Sequence, residues 1–524
     1  MKKYIFLSII TTLMVFSSCV EDEGNNILSD INTIEISGIE DAYYKISGQE
    51  TLSISPELTG SLGELNESDL EYEWALCNKE IGNKHAHEVI GTERELNYPV
   101  TASPSSYTLY FFVKDKSTGL KYEKKTSFNI ISTFVKGFYL FGDKEDGTVG
   151  LDFISMIEGR DNIVVTDILN NSLNLCEAED LFFTGFYSPY PHFNNLWAVT
   201  KSGSCQIENS SSMTSFNLME ESGNTELFIF PTIPVTKPMK VINVWPNSFG
   251  NTNLNRARTA RILCTENEVF NGSFYGATEA YGNPINRYST TSSELFKPSK
   301  YVFYKNASNV SYIGLYDETN HRFVRLNSSY SSATYSATLT DTGTPFYFDQ
   351  TKYESLRSLI YGENGIGNAA RSYALMRNTE GNYFIYLFTV NNYLATGTVA
   401  HAERSIDLNV ATDFSQANHY AFYSMQQILL YAAGTKLYAY DYARNECKLV
   451  KDFGAEITHL AMDYNSNNDV NHIIVATYNN TDKGIVYGYT IEDNQNVINV
   501  TPVEGEEWHT NLKVVKVEYR NAAN

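Results

Sequence analysis

The chain has 524 residues, enough for two domains and a sizeable core. Its formal charge of −22 argues against nucleic acid as a partner, because phosphates would be repelled, and gives no basic patch for a membrane surface. The 38 Tyr and 29 Phe suit strands, cores and binding surfaces.

The first residues lie outside the fold. Lys2-Lys3 is followed by an apolar stretch, Tyr4 to Phe16, too short to span a bilayer comfortably, and residues 1–18 read as a signal peptide. It ends in Phe16-Ser17-Ser18-Cys19, which resembles the lipobox of a bacterial lipoprotein, with Phe16 where Leu is usual. The resemblance implies cleavage before Cys19 and acylation of its sulfur, hence a lipid anchor in the membrane. An ordinary secretory signal that contains a cysteine is the alternative. Val20-Glu21-Asp22-Glu23-Gly24-Asn25-Asn26 resembles the export signal of surface-exposed lipoproteins of Bacteroidetes. Residues 19–30 are in any case a polar tether.

Residues 31–132 read as short strands separated by turns, the size of one immunoglobulin-like β-sandwich. Thr51 to Ser55 alternates, and Leu70 to Leu76 (LEYEWAL), Tyr107 to Lys114 and Tyr122 to Ile131 are further strands. Trp74, between Tyr72 and Leu76, fits the buried tryptophan of such folds. His85 and His87, with Glu88 from a turn, are conceivable metal ligands, but no further ligand can be named, and a polar loop is the better reading.

From Thr133 a hairpin recurs. Its clearest copy is Ile428 to Val450, ILLYAAGTKLYAYDYARNECKLV. Gly434-Thr435 turns the first strand into Leu437 to Tyr442. Tyr438, Tyr440 and Tyr442 share one face at period two, and Leu437 and Ala439 the other. A strand apolar on both faces must be covered on both, as in a ring of small stacked sheets. Copies begin near Gly137, Leu196, Arg261, Tyr312, Tyr383 and His472, at intervals near or above the roughly 40–50 residues of one propeller blade. Residues 133–524 therefore read as a β-propeller, with seven blades the best fit and six or eight also open. Val514 to Tyr519 is expected to pair beside Gly137 to Phe141 and close the ring. Without Cys19, five cysteines remain, with no CxxC pair; they fit buried free thiols, one disulfide being open.

Polar inserts at Asn209 to Ser215, Asn247 to Arg261 and Gly272 to Ser299 are expected at blade loops, where binding sites are built. Tyr187, Tyr190 and His192 crowd together in a proline-stiffened run, YSPYPHFNNLW, able to stack on sugar rings or apolar peptide side chains; plugging the space between blades is the alternative. Trp197, at its end, begins a strand and reads as core. Tyr281, Asn286 and Arg287 offer amide, hydroxyl and carboxylate recognition, against the alternative of a long connection packed on itself. No GxSxG, HExxH, P-loop or GxGxxG stands in the required setting, and Asp143, Asp146 and Asp152 lack EF-hand spacing. The expectation is a non-enzyme without a cofactor.

The strand-rich segment around Trp74, continuing through Gly137-Phe138-Tyr139-Leu140-Phe141, resembles the PKD-like family of Bacteroidetes lipoproteins, although the FGDG-type turn of ordinary PKD domains is missing. The resemblance implies an all-β chain: an immunoglobulin/PKD-like sandwich, then the propeller. It also implies an outer-membrane lipoprotein facing the cell exterior, an accessory to a SusC/SusD-type uptake system. Its partners would be a TonB-dependent transporter and a SusD-like lipoprotein, and its ligand a peptide or an oligosaccharide. The alternatives are a propeller-type glycan lyase or hydrolase at the cell surface, and a scaffold that touches no ligand.

Overall fold

The computed structural model describes residues 30–78, 87–184, 196–207, 216–217, 231–245, 261–273, 280–289, 291–305, 312–327, 337–339, 341, 345–366, 371–390, 398–464, 470–492 and 498–520. The chain divides into two compact units after Ile130. Among the described residues every extended element is a strand, and no helix is long and apolar enough to cross a membrane.

In the N-terminal unit a five-stranded sheet runs in the order Ala42–Ile46, Lys121–Ile131, Ser105–Asp115, Leu70–Asn78, Glu88–Gly91. Ile34–Ser37 pairs with Glu57–Gly60, and Thr51–Ile54 with Leu96–Pro99. The alternation read in Thr51 to Ser55 puts Leu52 and Ile54 inside, where they join Leu96, Trp74, Phe111 and Phe128 in one core. Two layers packed through such a core make a sandwich. Trp74 is fully buried, stacks on Phe111 at 4.3 Å between ring centres, and donates its indole N–H to the Glu93 carbonyl at 3.1 Å.

In the second unit the described strands form seven antiparallel sheets of three or four strands, besides one two-stranded pairing. Sheet 1 consists of Ile163–Val165, Val149–Ser155, Gly137–Asp143 and Lys513–Arg520 in spatial order. Sheet 2 begins at Ala178–Phe183, sheet 3 at Val241–Trp245, sheet 5 at Arg357–Asn364, sheet 6 at His419–Tyr423 and sheet 7 at Glu456–Asp463. Sheet 4 is Tyr312–Asp317, Arg322–Asn327 and Ala337–Thr338, with Phe303 bridged to Gly314 at its edge.

The apolar side chains link these sheets in a circuit. Tyr139, Phe141 and Leu151 of sheet 1 pack with Leu181 and Leu196 of sheet 2. Phe182 and Trp197 of sheet 2 pack with Val241 and Leu263 of sheet 3. Ile262 joins sheet 3 to Ile313 of sheet 4, and Phe323 joins sheet 4 to Tyr386 of sheet 5. Leu375 of sheet 5 meets Tyr431, Tyr438, Tyr440 and Tyr442 at sheet 6, while Leu437 and Ala439 face Ile473 of sheet 7. Ile474 and Trp508 of sheet 7 then pack on Phe138, Leu140 and Val517 of sheet 1, so the circuit closes as a β-propeller. Successive residues point to opposite faces of a strand, and both faces of each sheet are covered.

Closure depends on the last strand. Lys513–Arg520 pairs antiparallel with Gly137–Asp143, from Gly137 opposite Arg520 to Asp143 opposite Lys513, with one irregularity after Phe141. The approach is close at Gly142, where a Cβ would collide with the Lys513 carbonyl. Cys176, Cys205, Cys264 and Cys447 are free thiols; Cys205 and Cys264 are buried, and burial pushes both up to about 12.

Deleting Leu512 to Asn524 uncovers the edge of Gly137–Asp143 and removes the buried Leu512, Val514, Val517 and Tyr519. The melting temperature of the propeller is expected to fall by roughly 10 °C or more, measured by calorimetry. An unchanged transition would show that the pairing does not hold the ring together.

Candidate functional site

Strands of sheets 1, 2, 3, 5, 6 and 7, with the segment Lys300 to Tyr304 beside sheet 4, line a channel with a cavity of about 430 Å³. An inner strand cannot bury both faces in its neighbours alone, so its polar side chains meet across the axis or clip adjacent sheets together. Lys516 Nζ of sheet 1 pairs with Asp180 of sheet 2 at 3.1 Å and lies 4.0 Å from Glu518. Asn243 of sheet 3 donates to the Lys300 carbonyl at 2.6 Å. Asn364 of sheet 5 accepts from Tyr304 N–H at 2.9 Å and donates to the Val302 carbonyl at 2.7 Å. Glu363, beside it, accepts from Phe422 N–H of sheet 6 at 2.7 Å and from the Tyr361 hydroxyl at 3.1 Å, both at Oε2. The Tyr464 hydroxyl of sheet 7 donates to the Phe422 carbonyl at 2.8 Å.

This enclosure sets the charge states. Burial raises the Glu363 carboxyl to about 7, against the lowering effects of Phe422 N–H, Tyr361 and Lys516. Burial holds His419 and His459 below the usual histidine range, and the Lys516 charge pushes His459 further down. Next to the channel opens a wider cleft of about 720 Å³, lined by Glu179, Lys240, Glu266, Lys297, Lys300 and Glu318 among others. There Lys240 pairs with Glu179, and lies 3.8 Å from Glu266, while Lys297 pairs with Glu318 at 3.0 Å. The arrangement provides carboxylates, neutral imidazoles and ammonium groups within reach of a bound molecule; among the described residues no group of three or more His, Cys, Asp or Glu could hold a metal ion.

The side chains singled out from sequence lie elsewhere. Tyr187, Tyr190, His192 and Cys19 fall outside the described residues, as does His85. Tyr281 is buried, pairs through its backbone with Gly272 at the edge of sheet 3 and packs in the core shared by sheets 2 and 3. Asn286 is fully buried: its amide donates to the Asn267 carbonyl at 2.9 Å and the Phe296 carbonyl at 2.6 Å, and its oxygen accepts from Val269 N–H at 2.9 Å. Arg287 is 7% exposed, with its backbone bridged to Leu295. Tyr281, Asn286 and Arg287 are thus buried beside sheet 3, where Asn286 supplies three hydrogen bonds that the irregular backbone cannot make for itself. What sequence reading missed is the channel itself. Its signal was Lys516 and Glu518, two charges at period two within the stretch Val514 to Tyr519, which is otherwise apolar or aromatic and expected to be enclosed by ring closure.

Asp463, at the end of an inner strand, belongs to a second polar centre. His472 Nδ1 lies 2.8 Å from Asp463 and its Nε2 lies 2.6 Å from Glu506. Glu506 reaches the ring because Gly488 beside it has no side chain; a Cβ there would collide with the carboxylate. Burial opposes the charged imidazole, but the hydrogen bonds to Asp463 and Glu506 prevail and raise it to about 9. An imidazolium donating from both nitrogens ties together three strands of sheet 7.

Residues 19–173 match the model of the PKD-like family. The match covers the N-terminal unit and runs on through the first strands of sheet 1. No curated protein sequence matches the chain. Among solved structures, a quinonprotein alcohol dehydrogenase-like protein of Bacteroides thetaiotaomicron is similar over 92% of this chain and 97% of its own, at 12% identity and a TM-score of 0.37. The extracellular domain of a putative one component system from the same species is similar over 90% of this chain and 70% of its own, at 10% identity and a TM-score of 0.36. A β-propeller domain from Myceliophteria thermophila is similar over 68% of this chain and 96% of its own, at 7% identity and a TM-score of 0.36. Likeness at that level says nothing of what this chain binds.

Two stability measurements follow from the buried polar groups. Asn286→Ala is expected to cost about 2–3 kcal/mol in urea unfolding, because a buried N–H and two carbonyls lose their partner; a cost near zero would return Asn286 to the list of ligand contacts. For His472 the folded-state value lies above the unfolded one, so its contribution is complete below about 6.5 and is lost as pH rises toward about 9. The urea midpoint is expected to fall across that interval, and less steeply in His472→Gln; equal slopes in the two proteins would contradict the imidazolium.

Proposed function

We propose that the chain is a lipid-anchored protein of the outer-membrane surface that binds a peptide or oligosaccharide, non-catalytically, as an accessory of a SusC/SusD-type uptake system. The observation that carries the binding part of this reading is the charged cleft of about 720 Å³ beside the channel, built on a ring whose sheets brace one another. A ring of packed sheets holds its inner side chains in fixed positions, so the entropy cost of binding is low. Anchorage rests on Cys19 and the acidic run after it, and the partnership on the resemblance of the segment that matches the PKD-like family. In this reading cargo too large for a porin is held at the surface and passed to a TonB-dependent transporter.

A cell-surface glycan lyase or hydrolase is the second reading. It is favoured by the convergence of Asp180, Glu363, His419 and His459 on one channel. New reducing ends released from a polysaccharide library would decide for it.

Tagged protein pulled from outer membranes in mild detergent is expected to bring a TonB-dependent barrel and a SusD-like lipoprotein, identified by mass spectrometry, and Cys19→Ser is expected to leave the membrane pellet. Recovery of the protein alone, under conditions where known uptake complexes survive, would overturn the partnership.

A further inference from the structure

A cup of three aromatic rings sits where sheets 6 and 7 meet. Phe453 directly follows the last strand of sheet 6, Glu446–Asp452, and Tyr487 and Tyr489 lie at period two on Lys483–Ile491 of sheet 7. The ring centres are 5.3 Å apart for Phe453 and Tyr487, 6.0 Å for Phe453 and Tyr489 and 6.3 Å for the two tyrosines. Their planes are inclined at 44°, 85° and 53°, so the rings form walls and not a stack. The Lys451 ammonium occupies the cup, 4.8 Å from the Phe453 ring centre, 5.2 Å from Tyr487 and 5.6 Å from Tyr489. Each distance is inside the roughly 6 Å reach of a cation–π contact.

Lys451 is a loosely held occupant. It is exposed, and Phe453 and Tyr487 are half-buried, so the cup opens to solvent. Among the described residues its one hydrogen bond goes to the Tyr489 hydroxyl at 2.8 Å, and no carboxylate pairs with it, in a chain with 61 acidic residues. The joining of the two sheets is served on the same strand by Lys448, whose ammonium donates to the Ile498 carbonyl at 2.8 Å and to Asn499 Oδ1 at 3.1 Å. Glu507 stands directly opposite Tyr487 in the strand pairing and adds negative charge at the rim. A lysine ammonium is a compact, strongly hydrated charge that gives up water to lie on rings. A quaternary ammonium has no N–H to leave unsatisfied, and an aromatic cage is the surface that recognises it.

We propose that Phe453, Tyr487 and Tyr489 form a binding site for a quaternary ammonium head, and that Lys451 is its tethered plug. The plug competes at the effective concentration that its own stem sets, so a ligand enters by displacing it. Two sources present such a head: a free trimethylammonium compound and a phosphocholine headgroup. Glu507 favours the first, because it repels the phosphate of the second. None of the three rings lines the channel or the cleft, so the site stands apart from the uptake reading.

The test is calorimetric titration of the full chain, and of its Lys451→Gln variant, at about 150 mM salt, where the general attraction of an acidic surface for cations is screened. The probes are choline, phosphocholine and 3,3-dimethylbutanol, the uncharged carbon analogue of choline. Lys451→Gln is expected to bind choline about tenfold or more tighter than the wild type. The uncharged analogue is expected to bind about fivefold or more weaker than choline, and Phe453→Leu, added to Lys451→Gln, to weaken choline about threefold or more. Choline tighter than phosphocholine names the free compound as the source, and the reverse order names the headgroup. Equal affinity for choline with and without Lys451 would overturn the plug. Equal binding of choline and its uncharged analogue would overturn the ligand class. A Lys451→Gln protein that melts lower and binds none of the probes would make Lys451 a strut between two sheets and overturn the proposal.

Discussion

The structure depends on one constraint: a sheet that is apolar on both faces is stable only when something apolar covers both. Each sheet of the propeller meets this through its two neighbours, and the requirement passes around the ring until it reaches sheet 7 and sheet 1. There Ile474, Val486 and Trp508 pack with Phe138, Leu140, Ile154, Val514, Val517 and Tyr519. The strand that supplies half of those partners, Lys513–Arg520, comes from the other end of the chain and is held by a ladder to Gly137–Asp143. Two problems are solved at once, since the same pairing covers an apolar face and leaves no edge of Gly137–Asp143 open. The contact is of very long sequence separation, so its loop-closure entropy must be overcome before the circuit can complete.

Closing a ring of this kind creates an interior that is neither core nor surface. The inner strands converge on the axis, and their side chains cannot all pack against neighbouring sheets. Several polar groups therefore act across sheet boundaries: Lys516 to Asp180, Asn243 to Lys300, Asn364 to Val302, Glu363 to Phe422. These clips fix the wall in position. Glu363 is one such brace: its Oε2 accepts from both Phe422 N–H of sheet 6 and the Tyr361 hydroxyl.

What could be read from sequence follows the same division. The hairpin at Ile428 to Val450 announced its two buried faces through strict alternation, and Tyr438, Tyr440 and Tyr442 do fall in one interface with Leu437 and Ala439 in the next. Trp74 and the closing strand were legible for the same reason, because period-two burial is a local property. The channel was not legible. Which strand of a sheet is innermost is settled by the ring, and Asp180, Glu363, His419 and His459 come from four different sheets spread over nearly 300 residues. Asn286 and Arg287 were legible only as residue types. Their side-chain types suit recognition of a ligand, yet an irregular segment packed on a sheet has backbone groups of its own to satisfy, and Asn286 serves those.

His459 and His472 show why residue type alone decides so little here. Both lie in sheet 7, both are more than nine-tenths buried, and burial by itself disfavours the charged form of each. His472 has a carboxylate at each nitrogen, and the two hydrogen bonds outweigh the cost of enclosing the charge. Among the described residues no carboxylate is paired with His459, and the Lys516 charge disfavours its charged form further. One ring is therefore a cation that staples three strands, and the other a ring whose charged form its surroundings disfavour. The difference comes from neighbours that closure delivers, Glu506 through the gap at Gly488 in one case and Lys516 on the closing strand in the other. The closing strand thus determines the chemistry of the channel as well as the integrity of the ring.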